Sequence, residues 1–324
     1  MALTIDDLFV SPDHYLHSFD GDAARFVPMD RGAYHRSIFL DGRIVPAAEG
    51  EMRVPIAALP AAPPAPRRIG WIFHIAHCGS TLLARALDRP DANLVLREPL
   101  TLRQAAVSRQ QRLFALATST ISKRYDPDLP TIVKANVPVN FLLPDLAALD
   151  PEAPAILLYL GLDDYLAAIL RSDNHRTWLR NVTGQLTFHF GDTAALADAE
   201  RAALLWLAQL RAFDAALRIM PNARALDAEL FFATPAPVLE ASARHLGVAM
   251  TAADAQAITQ GPLFSTYSKN PDVAFDNSAR LARKADIERA LGDDLDQARR
   301  WIRANGVDAL GILTTLDKAA LIEG

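Results

Sequence analysis

The sequence has little of what several classes of protein require. Its 324 residues include one cysteine, Cys78, so no intramolecular disulfide can form, which fits a reducing compartment. The longest strongly apolar run, residues 155–162, is far too short to cross a bilayer. The amino terminus has no basic stretch followed by an apolar block, so we expect no signal peptide. These absences predict a soluble, cytoplasmic protein without a membrane partner.

Excess positive charge is missing as well. Lysine and arginine number 33 against 38 aspartate and glutamate residues, which gives a formal net charge of −5. Such a chain is not suited to neutralise a nucleic-acid backbone, so we expect no nucleic-acid partner, although a small anion needs only a local cluster of donors. The eight histidines show none of the spacings of metal ligands, and no metal is predicted.

Composition divides the chain into three parts. Residues 1–54 mix aromatic, charged and turn residues, and we expect short strands there, with a hairpin around residues 36–42. Residues 55–68 contain five prolines and are predicted to form a linker or a strap along the surface. Residues 69–324 are predicted to form the main domain.

The main domain alternates short apolar runs with amphipathic helical stretches. Runs that are apolar on both faces and separated by helices are typical of a parallel sheet covered on two sides. We therefore predict an α/β fold with an open parallel sheet flanked by helices and a small N-terminal β-containing segment. The expected strands are Ile69–Ile75, Asn93–Leu96, Thr131–Lys134, Ala155–Leu160 and Ala223–Leu226.

One segment carries most of the chemical information. After the first apolar strand, a turn of small residues leads into an apolar helix. The first amides of such a helix have no partners within it, and they favour an anion together with the helix dipole. The residues predicted to cradle a phosphate group are His77, Cys78, Gly79, Ser80 and Thr81.

The loop is a poor match to the usual loop for nucleoside triphosphates, G-x-x-x-x-G-K-[ST]. His74 stands in place of the first glycine and Ser80 in place of the lysine. An ordinary strand-to-helix turn with a serine–threonine cap is the simpler interpretation of the same residues.

The segment His77-Cys78-Gly79-Ser80-Thr81-Leu82-Leu83 resembles the phosphate-binding turn of the sulfotransferase family, with His77 where many members have lysine or arginine. The resemblance extends over roughly residues 69–285 and includes Leu226–Phe231 and the helix behind it. It implies a P-loop sulfotransferase-like fold and 3′-phosphoadenosine 5′-phosphosulfate (PAPS) as co-substrate. It also implies transfer of the sulfuryl group to a hydroxyl of a small molecule or peptide, without a metal.

The chain departs from the family where the 3′-phosphate is bound. Leu160 and Ala168 stand where the resemblance places an arginine and a serine. Losing two hydrogen bonds to a charged group would weaken binding by about 3 kcal/mol or more. The candidate substitutes are Arg171, Ser172, His175 and Arg176, and the segment Tyr267-Ser268-Lys269 with Arg280 and Arg283 resembles the loop that closes over the nucleotide.

Three residues are predicted to take part in catalysis. Glu98 follows the second strand, at the edge of the sheet that faces the ligand, and could take a proton from the acceptor hydroxyl. Lys134 ends the third strand and, with His77, could offset charge on the transferred group or the leaving nucleotide. The alternative for Glu98 is a salt bridge to Arg97 or Arg103, and the alternative for Lys134 is an ordinary solvated residue at the end of a strand. Cys78 has no histidine–aspartate partner order and is interpreted as a packed thiol.

Two other functions fit part of the pattern. A P-loop kinase or nucleotide hydrolase would use Asp163 or Asp164 to hold magnesium, although these acids also suit the start of a helix. A non-catalytic protein that keeps the fold would explain Leu160 and Ala168 as traces of a lost activity.

Overall fold

The computed structural model describes residues 3–322, apart from the side chain of Pro271. Its helices are α1 (Asp7–Val10), α2 (Arg31–Arg36), α3 (Ser80–Ala86), α4 (Leu100–Ser108), α5 (Gln111–Ile121), α6 (Leu143–Leu149), α7 (Leu162–Leu170), α8 (Asp173–Gln185), α9 (Thr187–Phe190), α10 (Asp198–Ile219), α11 (Ala228–Ala233), α12 (Pro235–His245), α13 (Ala252–Thr259), α14 (Pro262–Ser265), α15 (Asn277–Ala290), α16 (Gly292–Asn305) and α17 (Ala309–Lys318). Two 3-10 turns cover Ile56–Ala58 and Val137–Leu142.

The strands form three sheets. They are β1 (His14–Asp20), β2 (Ala23–Pro28), β3 (Met52–Pro55), β4 (Ile69–His74), β5 (Leu94–Arg97), β6 (Thr131–Lys134), β7 (Ala155–Tyr159), β8 (Ala223–Asp227), β9 (Thr266–Tyr267) and β10 (Asn270–Ala274). Strands β1–β3 pair antiparallel, as do β9 and β10.

The central sheet has five parallel strands in the order β5-β6-β4-β7-β8. The prediction of an α/β fold with an open parallel sheet flanked by helices is confirmed, and its five strands lie within one residue of the predicted bounds. Strands β4 and β7 are buried along their whole length, as a sheet covered on both faces requires.

The strand order decides where a ligand can bind. Strand β4 lies in the middle, with β6 and β5 on one side and β7 and β8 on the other. The connections after the strands therefore diverge beside the carboxyl end of β4, which is the place where open α/β sheets bind ligands. The loop of residues 75–79 begins at this point.

The N-terminal segment contains the expected strands, but the predicted position of the hairpin is wrong. The hairpin is β1–β2, whereas residues 31–36 form helix α2 and residues 37–42 form no strand. The buried guanidinium of Arg97 donates to the carbonyl oxygens of Tyr34, His35 and Ser37. The amide of Leu40 donates to Arg97 O (2.8 Å). The bonds at Ser37 O and Leu40 N occupy backbone groups within the predicted hairpin.

The proline-rich stretch lies against helix α5. Arg112 of α5 donates to the carbonyl oxygens of Ile56 (2.7 Å) and Leu59 (3.1 Å), and Leu59 is buried. Apolar side chains of the N-terminal sheet, such as Tyr15 and Phe26, belong to the same core as the central sheet. The division of the chain at residues 54 and 69 stays a prediction.

Candidate active site

The loop after β4 has a conformation that depends on glycine at one position. His77 and Gly79 both have positive φ angles, 61° and 79°. A Cβ atom on residue 79 would lie 2.7 Å from Cζ of Phe232, well inside van der Waals contact. Glycine is therefore required at this position both for the left-handed backbone and for the close approach of the Phe232 ring.

Helix α3 begins at Ser80 and offers hydrogen-bond donors towards the loop. Its N-cap is Gly79, which makes no side-chain hydrogen bond, and Leu83 N donates to Gly79 O (3.1 Å). The N–H group of Ser80 lies within hydrogen-bonding range of Cys78, and within residues 3–322 no side chain or carbonyl accepts from the N–H groups of Thr81 and Leu82. The buried Thr81 hydroxyl also lacks a partner there. These donors are available to a ligand.

The loop opens onto a cavity of about 370 Å³ between β4, α7 and the C-terminal part of the chain. Its apolar lining consists of Leu82, Leu160, Ala167, Ala168, Phe232, Val273, Phe275 and Ile287. Its polar and charged lining consists of His77, Cys78, Ser80, Thr81, Asp164, Arg171, Glu229, Thr266, Tyr267, Ser268, Lys269, Asn270, Arg280, Arg283 and Lys284. A part that can hold an anion thus adjoins a part that can hold an apolar ring.

The cavity contains more positive than negative charge. Arg280 donates to both carboxylate oxygens of Glu229 (2.8 and 2.7 Å), and Lys284 pairs with Asp164. In the described part of the chain, Arg171, Lys269 and Arg283 form no ion pair with a carboxylate. Three cations beside a loop of unpartnered donors make an environment that favours a polyanion.

Two of these cations lie near each other at the end of α7. Partial burial lowers the pKa of Arg171, and the positive charge of Arg283 lowers it further. Arg171 contacts His175 Nε2 (3.1 Å), and Arg283 donates to the hydroxyl of Tyr267. Two guanidinium groups without a counter-ion repel each other, and a bound anion would relieve that repulsion.

The other candidate substitutes for the 3′-phosphate site are arranged differently. Ser172 lies outside the cavity lining, and its hydroxyl is 2.5 Å from Nδ1 of His175. Arg176 pairs with Asp294 (2.6 Å) and Asp198 (3.6 Å). Arg171 is therefore the member of this group that the fold brings to the cavity.

The segment Tyr267-Ser268-Lys269 forms one wall of the cavity. It lies at the turn between β9 and β10, and Arg85 of α3 donates to Ser268 O (2.8 Å). This bond fastens the turn to the helix that follows the loop. Ser268 and Lys269, both predicted to bind the nucleotide, are thus brought beside His77 and Gly79.

The ring of His77 lies close to the rings of two other residues. Its ring centroid is 4.5 Å from that of His175 and 6.0 Å from that of Trp178. Burial, followed by the charges of Lys269 and His175, holds the pKa of His77 well below its ordinary value of 6.5. At neutral pH His77 is therefore a neutral hydrogen-bond donor or acceptor. Burial, followed by the charge of Lys134, lowers the pKa of Lys269, and a bound anion beside the loop would favour its charged form.

A second group of residues lies at the carboxyl ends of β4, β6 and β5. We call His74, Lys134 and Glu98 the strand-end cluster. Lys134 donates to Glu98 Oε1, and Nε2 of His74 is 4.0 Å from the same oxygen. Lys134 is 1% exposed, so its charge depends on Glu98 for compensation. The structure therefore brings Glu98 and Lys134 together, in a cluster outside the cavity lining.

Electrostatics within the cluster keep Glu98 ionised. Burial raises the pKa of Glu98, but the charges of Lys134, His74 and Lys269 outweigh burial and lower it to about 2. Burial and the charge of Lys134 lower the pKa of His74 to about 3. Lys269 lowers both values, so it lies within electrostatic range of the cluster while lining the cavity.

Cys78 is fully buried, and its thiol donates to Ile75 O (2.9 Å). Burial raises the pKa of this thiol to about 11. A thiol that stays protonated at neutral pH is a poor nucleophile. The interpretation of Cys78 as a packed side chain agrees with these contacts.

The acids considered for magnesium binding are paired with cations instead. Asp163 accepts from Nε (3.0 Å) and Nη2 (2.9 Å) of Arg299, and Asp164 pairs with Lys284. Both acids lie in the first turn of α7. Among residues 3–322, no cluster of three or more histidine, cysteine or acidic residues could hold a metal ion.

Sequence reasoning missed two features of the site. The sequence places His74 beside the loop, at the end of the otherwise apolar strand Ile69–His74, but does not predict its contact with Glu98. Phe232 packs against Gly79 from about 150 residues away, and no local pattern signals such a contact.

Comparisons with known proteins add little at the level of sequence. No family profile matches the chain, and no curated protein matches it. No helix among the described residues is long and apolar enough to cross a membrane.

The solved structures that are similar to the chain include two sulfotransferases. One is the sulfotransferase domain from the curacin biosynthetic pathway, with 13% identity over 65% of this chain and 83% of that one (TM-score 0.39). The other is a sulfotransferase from Alicyclobacillus acidocaldarius, with 13% identity over 74% of this chain and 95% of that one (TM-score 0.39). A likeness at this level says nothing about donor, acceptor or catalytic residues.

Proposed function

We propose that the protein transfers a sulfuryl group from PAPS to a hydroxyl group of a small molecule or peptide. The observation that carries the proposal is the cavity onto which the loop opens, because it combines backbone donors with three cations, and within residues 3–322 the Thr81 and Leu82 amides have no acceptor and these cations have no carboxylate partner. The 5′-phosphosulfate would lie against residues 77–81 and Lys269. An apolar ring, such as a purine, suits the part of the cavity formed by Phe232 and Phe275.

Arg171 and Arg283 are the residues proposed to bind the 3′-phosphate. Leu160 and Ala168, which replace the arginine and serine expected from the resemblance, line the cavity as an apolar wall. Arg171 extends into the same cavity from the next turn after Ala168, and Arg283 approaches from α15. Two guanidinium groups can form the charge-assisted hydrogen bonds that a phosphate dianion requires.

Glu98 and Lys134 belong to the acceptor side in this proposal. Lys134 and Lys269 would offset negative charge on the transferred group, and Glu98 keeps Lys134 in place. In the transfer, a bond forms between the acceptor oxygen and sulfur while the bond between sulfur and the 5′-phosphate oxygen breaks. The leaving group is 3′-phosphoadenosine 5′-phosphate, and the acceptor hydroxyl gives up its proton.

Binding of the product nucleotide tests the proposal without knowledge of the acceptor. We expect 3′-phosphoadenosine 5′-phosphate to raise the melting temperature, and ATP or GTP with magnesium to have a smaller effect. Either Arg171→Gln or Arg283→Gln should weaken its binding by about 1.5–3 kcal/mol, measured by titration calorimetry. Adenosine 5′-phosphate, which lacks the 3′-phosphate, should bind both variants as it binds the wild type.

Arg289→Gln is the matched control, because Arg289 lies on the same helix as Arg283 but pairs on the surface with Asp286 (3.1 Å). If 3′-phosphoadenosine 5′-phosphate does not bind at millimolar concentration, the proposal is wrong. Magnesium-dependent binding of ATP would favour a kinase or hydrolase instead. Nucleotide binding without transfer to any hydroxyl would favour a non-catalytic protein.

A further inference from the structure

The hydrogen-bonding state of His74 follows from one contact. Nδ1 of His74 lies 2.8 Å from the carbonyl oxygen of Ile75. A carbonyl oxygen can only accept a hydrogen bond, so Nδ1 must carry the hydrogen. In a neutral imidazole the other nitrogen, Nε2, then has an unprotonated lone pair.

That lone pair has no partner in the described part of the chain. His74 is 5% exposed, and within residues 3–322 its Nε2 atom is buried without a hydrogen bond. The backbone of His74 is fixed as well, because Asn140 Nδ2 donates to His74 O (3.0 Å) and to Gln209 Oε1 (3.0 Å). A rigid, buried acceptor atom without a donor is a costly feature that calls for a ligand or a chemical role.

The ion pair next to His74 determines which group can take a proton most easily. A proton on Glu98 would neutralise the carboxylate and leave Lys134, which is 1% exposed, as an uncompensated buried charge. A proton on His74 would leave the pair of Lys134 and Glu98 intact. The resulting imidazolium would lie 4.0 Å from the Glu98 carboxylate, which favours it, whereas burial and the charge of Lys134 oppose it.

The position of His74 suits such a role. It is the last residue of β4, directly before the loop that is proposed to hold the 5′-phosphosulfate. Lys134 ends the neighbouring strand β6, and Glu98 follows β5 beyond it. Of the three residues of the strand-end cluster, His74 is therefore the one that adjoins the loop directly.

We infer that Nε2 of His74 is the general base that takes the proton of the acceptor hydroxyl, with Glu98 holding the imidazolium and Lys134 in place. The inference rests on the proposed sulfuryl transfer. The proton moves from the acceptor oxygen to Nε2 as the oxygen–sulfur bond forms, the leaving nucleotide takes the electron pair of the broken bond, and Nε2 later releases the proton to solvent.

The tautomer can be tested without a substrate. In protein labelled with nitrogen-15 at histidine, we expect the resonances of His74 at pH 7 to show a protonated Nδ1 and an unprotonated Nε2. The His74→Asn variant identifies these resonances by their loss. A protonated Nε2, in either the other tautomer or the imidazolium, would overturn the inference.

Two substitutions separate catalysis from structure. His74→Asn keeps a donor that can reach Ile75 O but has no atom at the place of Nε2, and His74→Gln places an amide there that cannot take a proton. With labelled PAPS and water as the hydroxyl acceptor, we expect both variants to release sulfate about 100-fold more slowly. Their affinity for 3′-phosphoadenosine 5′-phosphate should stay within about twofold of the wild type.

The outcomes distinguish the two proposals. If His74→Asn releases sulfate at close to the wild-type rate, His74 only shapes the loop and the inference is wrong. Restoration of part of the rate in His74→Ala by added imidazole would support it. If the wild type binds neither PAPS nor its product, the proposed function fails, whatever the tautomer of His74.

Discussion

The two sides of the site handle charge in opposite ways. On the side of β7 and α15, Arg171, Lys269 and Arg283 line a cavity without carboxylate partners in the described part of the chain. On the side of β6 and β5, Lys134 is buried and held by Glu98. Unpaired cations near solvent can bind an anion, whereas the charges of the buried pair already compensate each other. The comparison separates a surface for binding from a cluster that keeps its charges in fixed positions.

The strongest test of the comparison is Lys134→Met. It removes the counter-charge of a carboxylate whose side chain is 18% exposed, so we expect a loss of about 3–5 kcal/mol in the free energy of unfolding. Urea denaturation measures this loss. Arg289→Met, which breaks a pair that is 75% and 72% exposed, should cost no more than about 1 kcal/mol. A similar cost for both substitutions would remove the distinction between buried and exposed pairs.

A smaller effect is expected from Gly79→Ala on the cavity side. The added Cβ meets Phe232 Cζ at 2.7 Å in a backbone with φ of 79°. Crowding of this kind costs about 1–3 kcal/mol beyond the backbone strain. Gly247→Ala is the control for the strain alone, since φ is 73° there and nothing lies within 4 Å of the added atom. We expect Gly79→Ala to destabilise the protein by that additional amount and to weaken nucleotide binding. An equal loss of stability in Gly79→Ala and Gly247→Ala would show that the Phe232 ring moves to make room for the added atom.

The smallest expected effect is the change in stability over one pH unit, between about pH 6 and pH 5. The pKa of His74 falls from its ordinary value of 6.5 to about 3 on folding. Its contribution to stability is therefore fully present above pH 6.5 and is lost as the pH falls towards 3, because the unfolded chain binds a proton that the folded protein excludes. Stability should fall by at most about 1.4 kcal/mol per pH unit from this residue.

In His74→Gln, the free energy of unfolding should fall less steeply with decreasing pH than in the wild type, as measured by urea unfolding between about pH 6 and pH 5. Glu98 contributes with the same sign at lower pH, between its ordinary value of 4.5 and about 2. His77 and His175, whose pKa values are also lowered by burial, contribute over the same range in both proteins, so the difference between the wild type and the variant isolates His74. Identical slopes in the wild type and the variant would mean that His74 is accessible to protons in the folded protein, which contradicts its burial.

Much of the fold could be predicted because parallel strands buried on both faces are continuous apolar runs. Strands β4 and β7 have this pattern, and their bounds were predicted to within one residue. The hairpin around residues 36–42 was predicted wrongly, because alternation is a local signal and cannot register that the Arg97 guanidinium binds the carbonyl groups of Tyr34, His35 and Ser37. Pairing with a distant side chain overrode the local preference.

The sequence by itself determined the α/β architecture, the place of the loop after β4 and the residues that can supply its donors. These features follow from local periodicity and from the chemistry of small residues at a strand-to-helix turn. Only the tertiary structure decided which charges are paired. Lys134 and Glu98 meet because β5 and β6 are neighbours, and Arg171 and Arg283 meet because α15 packs beside α7. Charge pairing depends on distances between residues far apart in the chain, and no local pattern contains those distances.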